Sequence, residues 1–191
     1  MNYELICIGA SWGGVTALTE MLERLPDEVD QPIAVTQHRG PSRTDVGLAD
    51  VLQRHSRRVI ADAEDKVTIE PNHVYLAPAD YHLLIERGSL ALSTEERVHY
   101  ARPSIDVMFE SAADAYGPSV IGVVLTGSNE DGAAGLARIK QRGGVAVIQD
   151  PENSERRAMP DAAIAATAAD AVLPLGEIAA FLYGLCCKVG A

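Results

Sequence analysis

Three polar residues stand where apolar runs end. Ser11 lies in Gly9-Ala10-Ser11-Trp12-Gly13-Gly14, straight after the run 3–9. His38 follows the run 32–37, and Asp131 lies in Thr126-Gly127-Ser128-Asn129-Glu130-Asp131-Gly132, after the run 119–125. A hydroxyl on a glycine-flanked turn from strand to helix has two uses. It can cap the helix, or it can be a nucleophile beside free helix N–H groups that would hold an oxyanion. His38 is either a hydrogen-bonded structural residue or a general base. Asp131 can cap a helix that begins near Gly132, or it can hold a histidine tautomer. Taken together, the three satisfy the nucleophile–base–orienter logic of acyl transfer. The chain order Ser, His, Asp is not the α/β-hydrolase order, in which the acid precedes the histidine, so an ordinary lipase-type esterase is disfavoured. A nucleotide loop is the weaker reading, because the glycines do not follow G-x-G-x-x-G and no P-loop lysine follows.

The elements that must position these residues follow from pattern. Strands are predicted over 3–9, 32–37, 119–125, 145–149 and 170–173. Helices are predicted over 15–25, 44–54, 105–116, 133–141 and 176–185. Strands separated by such helices imply a parallel sheet with right-handed crossovers. The β-like runs 74–77, 83–86 and 90–92 are punctuated by Pro78-Ala79-Asp80 and Arg87-Gly88-Ser89, and they read as an antiparallel hairpin insert. Ser104 is the expected N-cap of the helix over 105–116, with Asp106 in its first turn. The alanine-rich stretch 158–171 suits close helix packing. The fold class is therefore α/β: a doubly wound, mostly parallel sheet with helices on both faces and an antiparallel β-hairpin insert. Ligands gather at the carboxyl ends of such strands, where the loops 10–14, 38–44, 126–132 and 150–160 emerge.

Composition narrows the function classes. The chain has 191 residues, 47% hydrophobic and 23% charged, which suits one globular domain. Its net charge is 16 − 27 = −11, which argues against nucleic acid or an anionic membrane as partner. The three cysteines show no framework spacing, as expected for reduced thiols in the cytoplasm, and no Cys/His cluster suggests a metal. No apolar stretch approaches about 18 residues, so no membrane insertion is expected. His55 and His99 sit among charges and read as solvated, His73 reads as structural, and His82 lies in the hairpin turn.

Along nearly the whole chain the residues resemble the catalytic domain of the chemotaxis protein-glutamate methylesterase (CheB) family. The resemblance is carried by Ile8-Gly9-Ala10-Ser11 with Gly13-Gly14, by Gln37-His38, and by Val74-Tyr75-Leu76-Ala77-Pro78 with Tyr81-His82-Leu83. It continues through Arg102-Pro103-Ser104-Ile105-Asp106, Thr126-Gly127 with Asp131-Gly132-Ala133-Ala134-Gly135, Gln149-Asp150 and Met159-Pro160. It implies hydrolysis of glutamyl methyl esters on the cytoplasmic helices of chemoreceptors, with possible deamidation of glutamines. Ser11 maps to the nucleophile, His38 to the base and Asp131 to its partner, with no metal or organic cofactor. Trp12 stands where the family has a small hydroxyl residue, and Ser128-Asn129 stands where it has Met-Gly; the resemblance implies that both positions lie beside the oxyanion site. These departures keep a second reading open, a catalytically weakened module that binds receptors or signalling partners. The family's regulated members carry a receiver domain. The expectation here is one monomeric catalytic domain over 1–191 without one, active without phosphorylation. Thirteen of the 16 cations are arginine, and Arg39, Arg43, Arg156 and Arg157 fall in active-edge loops, with Arg102 nearby. They are expected to form a basic rim for receptor glutamates, or else to be solvated loop charges.

Overall fold

The computed structural model describes residues 3–38 and 47–187. Strands and helices alternate as β1 (Leu5–Ala10), α1 (Gly14–Arg24), β2 (Ile33–Gln37), α2 (Leu48–Gln53), β3 (Val59–Asp62) and β4 (His73–Leu76). A hairpin follows, β5 (His82–Glu86) and β6 (Ser89–Ser93), and then α3 (Ile105–Tyr116) and β7 (Val120–Val124). The chain ends with α4 (Ala133–Gln141), β8 (Val145–Gln149), α5 (Ala158–Ala166), β9 (Ala171–Leu173) and α6 (Leu175–Cys186).

Seven strands form one sheet in the order β3-β4-β2-β1-β7-β8-β9, every pairing parallel. The hairpin β5–β6 stands apart as an antiparallel ribbon. The four central strands are buried at every residue, which is why they read as unbroken apolar runs. Alternation along them sorts the core into two layers. Ile6, Ile8, Ile33, Val35, Ile121 and Val123 pack with Leu18, Met21 and Leu22 of α1 and Ile178 and Leu182 of α6. Leu5, Cys7, Val120, Val124 and Ile148 face the other way, toward Met108 and Phe109 of α3, Leu136 and Ile139 of α4, Met159 of α5, and Leu83 and Leu90 of the hairpin.

The run 74–77, read with the hairpin, instead supplies β4, which lies inside the main sheet between β3 and β2. β3 gave little signal in the sequence because only Ile60 of its four residues is buried, so no apolar alternation shows. With β3 silent, the run 74–77 has no parallel partner visible in the sequence and stands next to the hairpin runs alone. Of the helix expected over 44–54, residues 48–53 are helical, and 39–46 lie outside the described residues.

β1 pairs β2 on one side and β7 on the other. The chain moves to one side of β1 first and returns to the other later, so the loops after β1 and β7 part over the sheet edge. That is the switch point at which doubly wound sheets hold ligands. Phe109 anchors the layer beneath it and is fully buried. Phe109→Ala is expected to lower unfolding stability by about 3–5 kcal/mol, read as a lower urea midpoint at unchanged slope.

Candidate active site

The parallel register sets Ser11 beside His38. Ala10 pairs with Gln37, so the next residue on each strand leaves the sheet side by side, roughly 5 Å apart along the backbone. The His38 N–H donates to the Ala10 carbonyl at 2.9 Å. Gln37, polar at the end of a buried strand, ties the two exits together. Its Nε2 donates to the Ser11 carbonyl at 2.8 Å and to the His38 carbonyl at 2.9 Å. Position 14 must be glycine for this, because a Cβ there would overlap the Gln37 amide oxygen.

His38 Nε2 lies 2.7 Å from Asp131 Oδ2. With Asp131 ionised, the carboxylate accepts a hydrogen bond from Nε2–H, which leaves Nδ1 as the unprotonated ring atom. Asp131 is fully buried, and four donors converge on it. Besides His38 they are Ser104 Oγ at 2.8 Å, the Ile105 N–H at 2.7 Å and the Asp106 N–H at 3.0 Å. Ser104 is the N-cap of α3, and the N–H groups belong to that helix's first turn. Asp131 thus binds the positive end of α3 rather than capping the helix it precedes. Burial by itself would raise its pKa; the His38 bond and the Asp106 and Ile105 N–H groups outweigh that and hold it below the usual carboxylate value.

The helix that Asp131 leaves uncapped is served in return. α4 begins after Gly132, at φ 99°, with no cap from its own segment. The Gly132 and Gly135 N–H groups donate to Asp106 Oδ1 at 2.9 and 2.7 Å. Asp106 belongs to α3, so the two helices exchange carboxylates. Burial pushes the Asp106 carboxyl up to about 6, against the Gly135 N–H and with the nearby Asp131 charge. His99 is exposed, as expected, and its ring nitrogens lie 3.5 Å from Asp106 Oδ2 and 3.3 Å from Glu130 Oε1. His82 is buried and sits behind the cap. Its Nδ1 accepts from the Ser104 N–H at 3.2 Å and its Nε2 donates to the Glu96 carbonyl at 2.9 Å.

On the open side, Trp12 is 57% exposed and lines a cleft of about 600 Å³ with Ser128, Arg156, Arg157 and Ala158. Its indole Nε1 donates to Glu155 Oε1 at 2.8 Å, and the Arg156 guanidinium stacks 5.3 Å above its ring. Thr126 joins the two loops. Its hydroxyl accepts the Arg156 N–H at 2.8 Å and lies 3.0 Å from the Trp12 carbonyl. Among the described residues, neither the Trp12 nor the Ser128 N–H donates to the protein, whereas Ser11 N–H is used by the Thr126 carbonyl. Of the arginines, Arg157 is engaged by Asp161 and Glu152. Arg102 binds Asp80 and the Thr94 and Glu95 carbonyls. Arg156 has no carboxylate partner among the described residues. Arg39 and Arg43 lie outside the described residues. No group of His, Cys, Asp and Glu able to hold a metal occurs among the described residues. Gln37, Ser104, Asp106 and Thr126 received no site role in the sequence reading; a polar residue closing an apolar strand was the available signal for Gln37.

This geometry has counterparts. The CheB methylesterase family model matches residues 6–182. The chain belongs to the CheB methylesterase family. The crystal structure of the Thermotoga maritima CheB methylesterase catalytic domain superposes with a TM-score of 0.90 at 33% identity, covering 97% of this chain and all of that one. A Leptospira interrogans protein provisionally named protein-glutamate methylesterase/protein-glutamine glutaminase is 47% identical over 94% of this chain and 93% of its own length. The Myxococcus xanthus protein-glutamate methylesterase FrzG is 40% identical over 94% of this chain, which spans 54% of that protein. The fold of this CheB-family chain is that of the catalytic domain, and among the described residues no helix is long and apolar enough to cross a membrane.

Asp131→Ala removes the acceptor shared by three donors of α3 and is expected to cost about 1–3 kcal/mol of stability at pH 7. The folded carboxyl lies below its unfolded value of 3.8, so its contribution is present above that pH and fades as pH falls through the folded value. The gap in urea midpoint between wild type and variant should therefore close in acid.

Proposed function

We propose that this CheB-family chain hydrolyses glutamyl methyl esters, and the matching glutamine amides, on chemoreceptor cytoplasmic helices through Ser11, His38 and Asp131. The observation that carries this reading is the 2.7 Å His38–Asp131 bond at the strand end next to Ser11. Ser11 Oγ attacks the ester carbonyl while its proton passes to His38 Nδ1. The resulting oxyanion is held by the Trp12 and Ser128 N–H groups. Collapse breaks the carbonyl–methoxy bond, and His38 returns the proton to the departing methanol. Water then attacks the acyl-Ser11 ester, gives its proton to His38, and releases glutamate with Ser11 restored. With a glutamine substrate the leaving group is ammonia. Asp131 stays ionised throughout and stabilises the imidazolium.

Recognition falls to the cleft between Trp12 and α5. Receptor glutamates beside the scissile ester meet Arg156, whose guanidinium is presented on the Trp12 face, while the indole gives the ester's aliphatic stem an apolar wall. Arg39 and Arg43 extend this rim in the proposal. Arg102 and Arg157 are already neutralised by their own partners and contribute less.

Methanol release from methylated receptor membranes tests the reaction. Ser11→Ala is expected to lower it by three orders of magnitude or more at unchanged thermal stability, on the order of what loss of a triad nucleophile costs. No release from wild type would return the chain to the binding-module reading. Arg156→Glu tests recognition: KM should rise for receptor and stay level for a small neutral ester. Equal effects on both substrates would contradict the rim.

A further inference from the structure

We propose that Asp106, held by His99, is a positioning residue for the reaction: it fixes the Gly132 end of the 126–132 loop and thereby keeps Asp131 on His38. This inference rests on the Ser11–His38–Asp131 reading. Asp106 is buried, and its Oδ1 is the acceptor for both Gly132 and Gly135 N–H groups. Gly132 is the residue directly after Asp131, so whatever fixes that peptide fixes the Cα from which the Asp131 side chain departs. In the other direction the Asp106 N–H donates to Asp131 Oδ1 at 3.0 Å. The two carboxylates therefore share one turn of backbone, each bound to the other's helix, and neither can shift alone. Gly135 is part of the same device, since a Cβ there would meet Phe109 Cβ at 2.6 Å and the Asp106 backbone at 3.0 Å.

The grip depends on charge. An ionised acceptor holds N–H donors roughly twice as strongly as a neutral one. The Asp106 carboxyl is pushed up to about 6 by burial, so its charge is within reach of mild acid. The titratable groups that face it are Asp131 from the loop before α4 and His99 from the segment before α3, with Glu130 behind His99. His82 of β5 meets the same helical turn through Ser104, and α4 presents only N–H groups. Asp131 favours the protonated form of Asp106, and a charged His99 favours the ionised one. Turnover is then fastest when Asp106 is ionised, in addition to the unprotonated His38 that the proposed reaction needs.

The test is kcat/KM for methanol release against pH for wild type, Asp106→Asn and His99→Asn. Asparagine keeps an acceptor for the two N–H groups but carries no charge, and it tolerates the φ of 47° at position 99. Wild type should fall on the acid side more steeply than a slope of one over the decade of activity in which Asp106 loses its charge. Asp106→Asn should fall with a slope of one and lose about tenfold in kcat at neutral pH with KM unchanged. His99→Asn, on an exposed loop, should keep the steeper limb and move it to higher pH. A purely structural Asp106 would leave the slope as it was. A wild type active with a slope of one, or a His99→Asn limb at the wild-type position, overturns this inference alone. A wild type silent at every pH overturns the catalytic reading and this inference with it.

Discussion

A buried carboxylate is the constraint around which this site is built. Asp131 is fully buried, and a bare charge at that depth would cost several kcal/mol or neutralise itself. The protein supplies four donors instead, three of them from the first turn of α3 and its N-cap. That arrangement requires α3 to point its N-terminus at the loop after β7, and so requires α3 and α4 to pack start to start. In the proposed reaction it also decides which ring atom of His38 acts: with Nε2 donating to Asp131, Nδ1 is left for the Ser11 turn.

The sheet topology converts that local arrangement into a site. Ser11 and His38 come from neighbouring parallel strands in register, and Asp131 comes from β7 on the other side of β1. Residues 11, 38 and 131 are far apart in sequence, yet Ser11 and His38 each lie directly after a strand end, and the loop that follows β7 returns Asp131 to the same edge. Gln37 and Thr126 clamp the loops to one another through backbone carbonyls and N–H groups. The exposed face of the site is left to Trp12 and Arg156. In the proposed reaction the net charge of −11 would slow the approach of an acidic receptor helix, and an arginine held against an indole would offset that at short range.

Much of this was legible in the sequence, and the reasons are specific. The central strands announce themselves because burial on both faces makes them apolar throughout. Helices α3, α4 and α6 show through periodicity, with Ser104 marking the start of α3 and Gly143-Gly144 the end of α4. Ser11 and His38 stand out because each is a polar residue directly after such a strand, and Asp131 because it closes the polar loop that follows another. β3 and β4 were harder. A four-residue edge strand with one buried side chain carries no pattern of its own, and β4 then borrowed its context from the hairpin. The exchange of caps between Asp106 and Asp131 left no trace either. Each aspartate sits where it would cap or begin its own helix, and only the packing of α3 on α4 shows that each serves the other. His99 read as a solvated residue for the same reason: its partners lie seven and thirty-one positions away.

The central claim is that Asp131 holds the proton of His38 on Nε2 and leaves Nδ1 free as base. ¹⁵N NMR of the His38 ring, in wild type and Asp131→Asn at a pH where the free ring is neutral, tests it directly. The account predicts a protonated Nε2 and a bare Nδ1 in wild type, with the preference lost in the variant. A wild-type ring protonated on Nδ1, or a tautomer unaffected by Asp131→Asn, would contradict it.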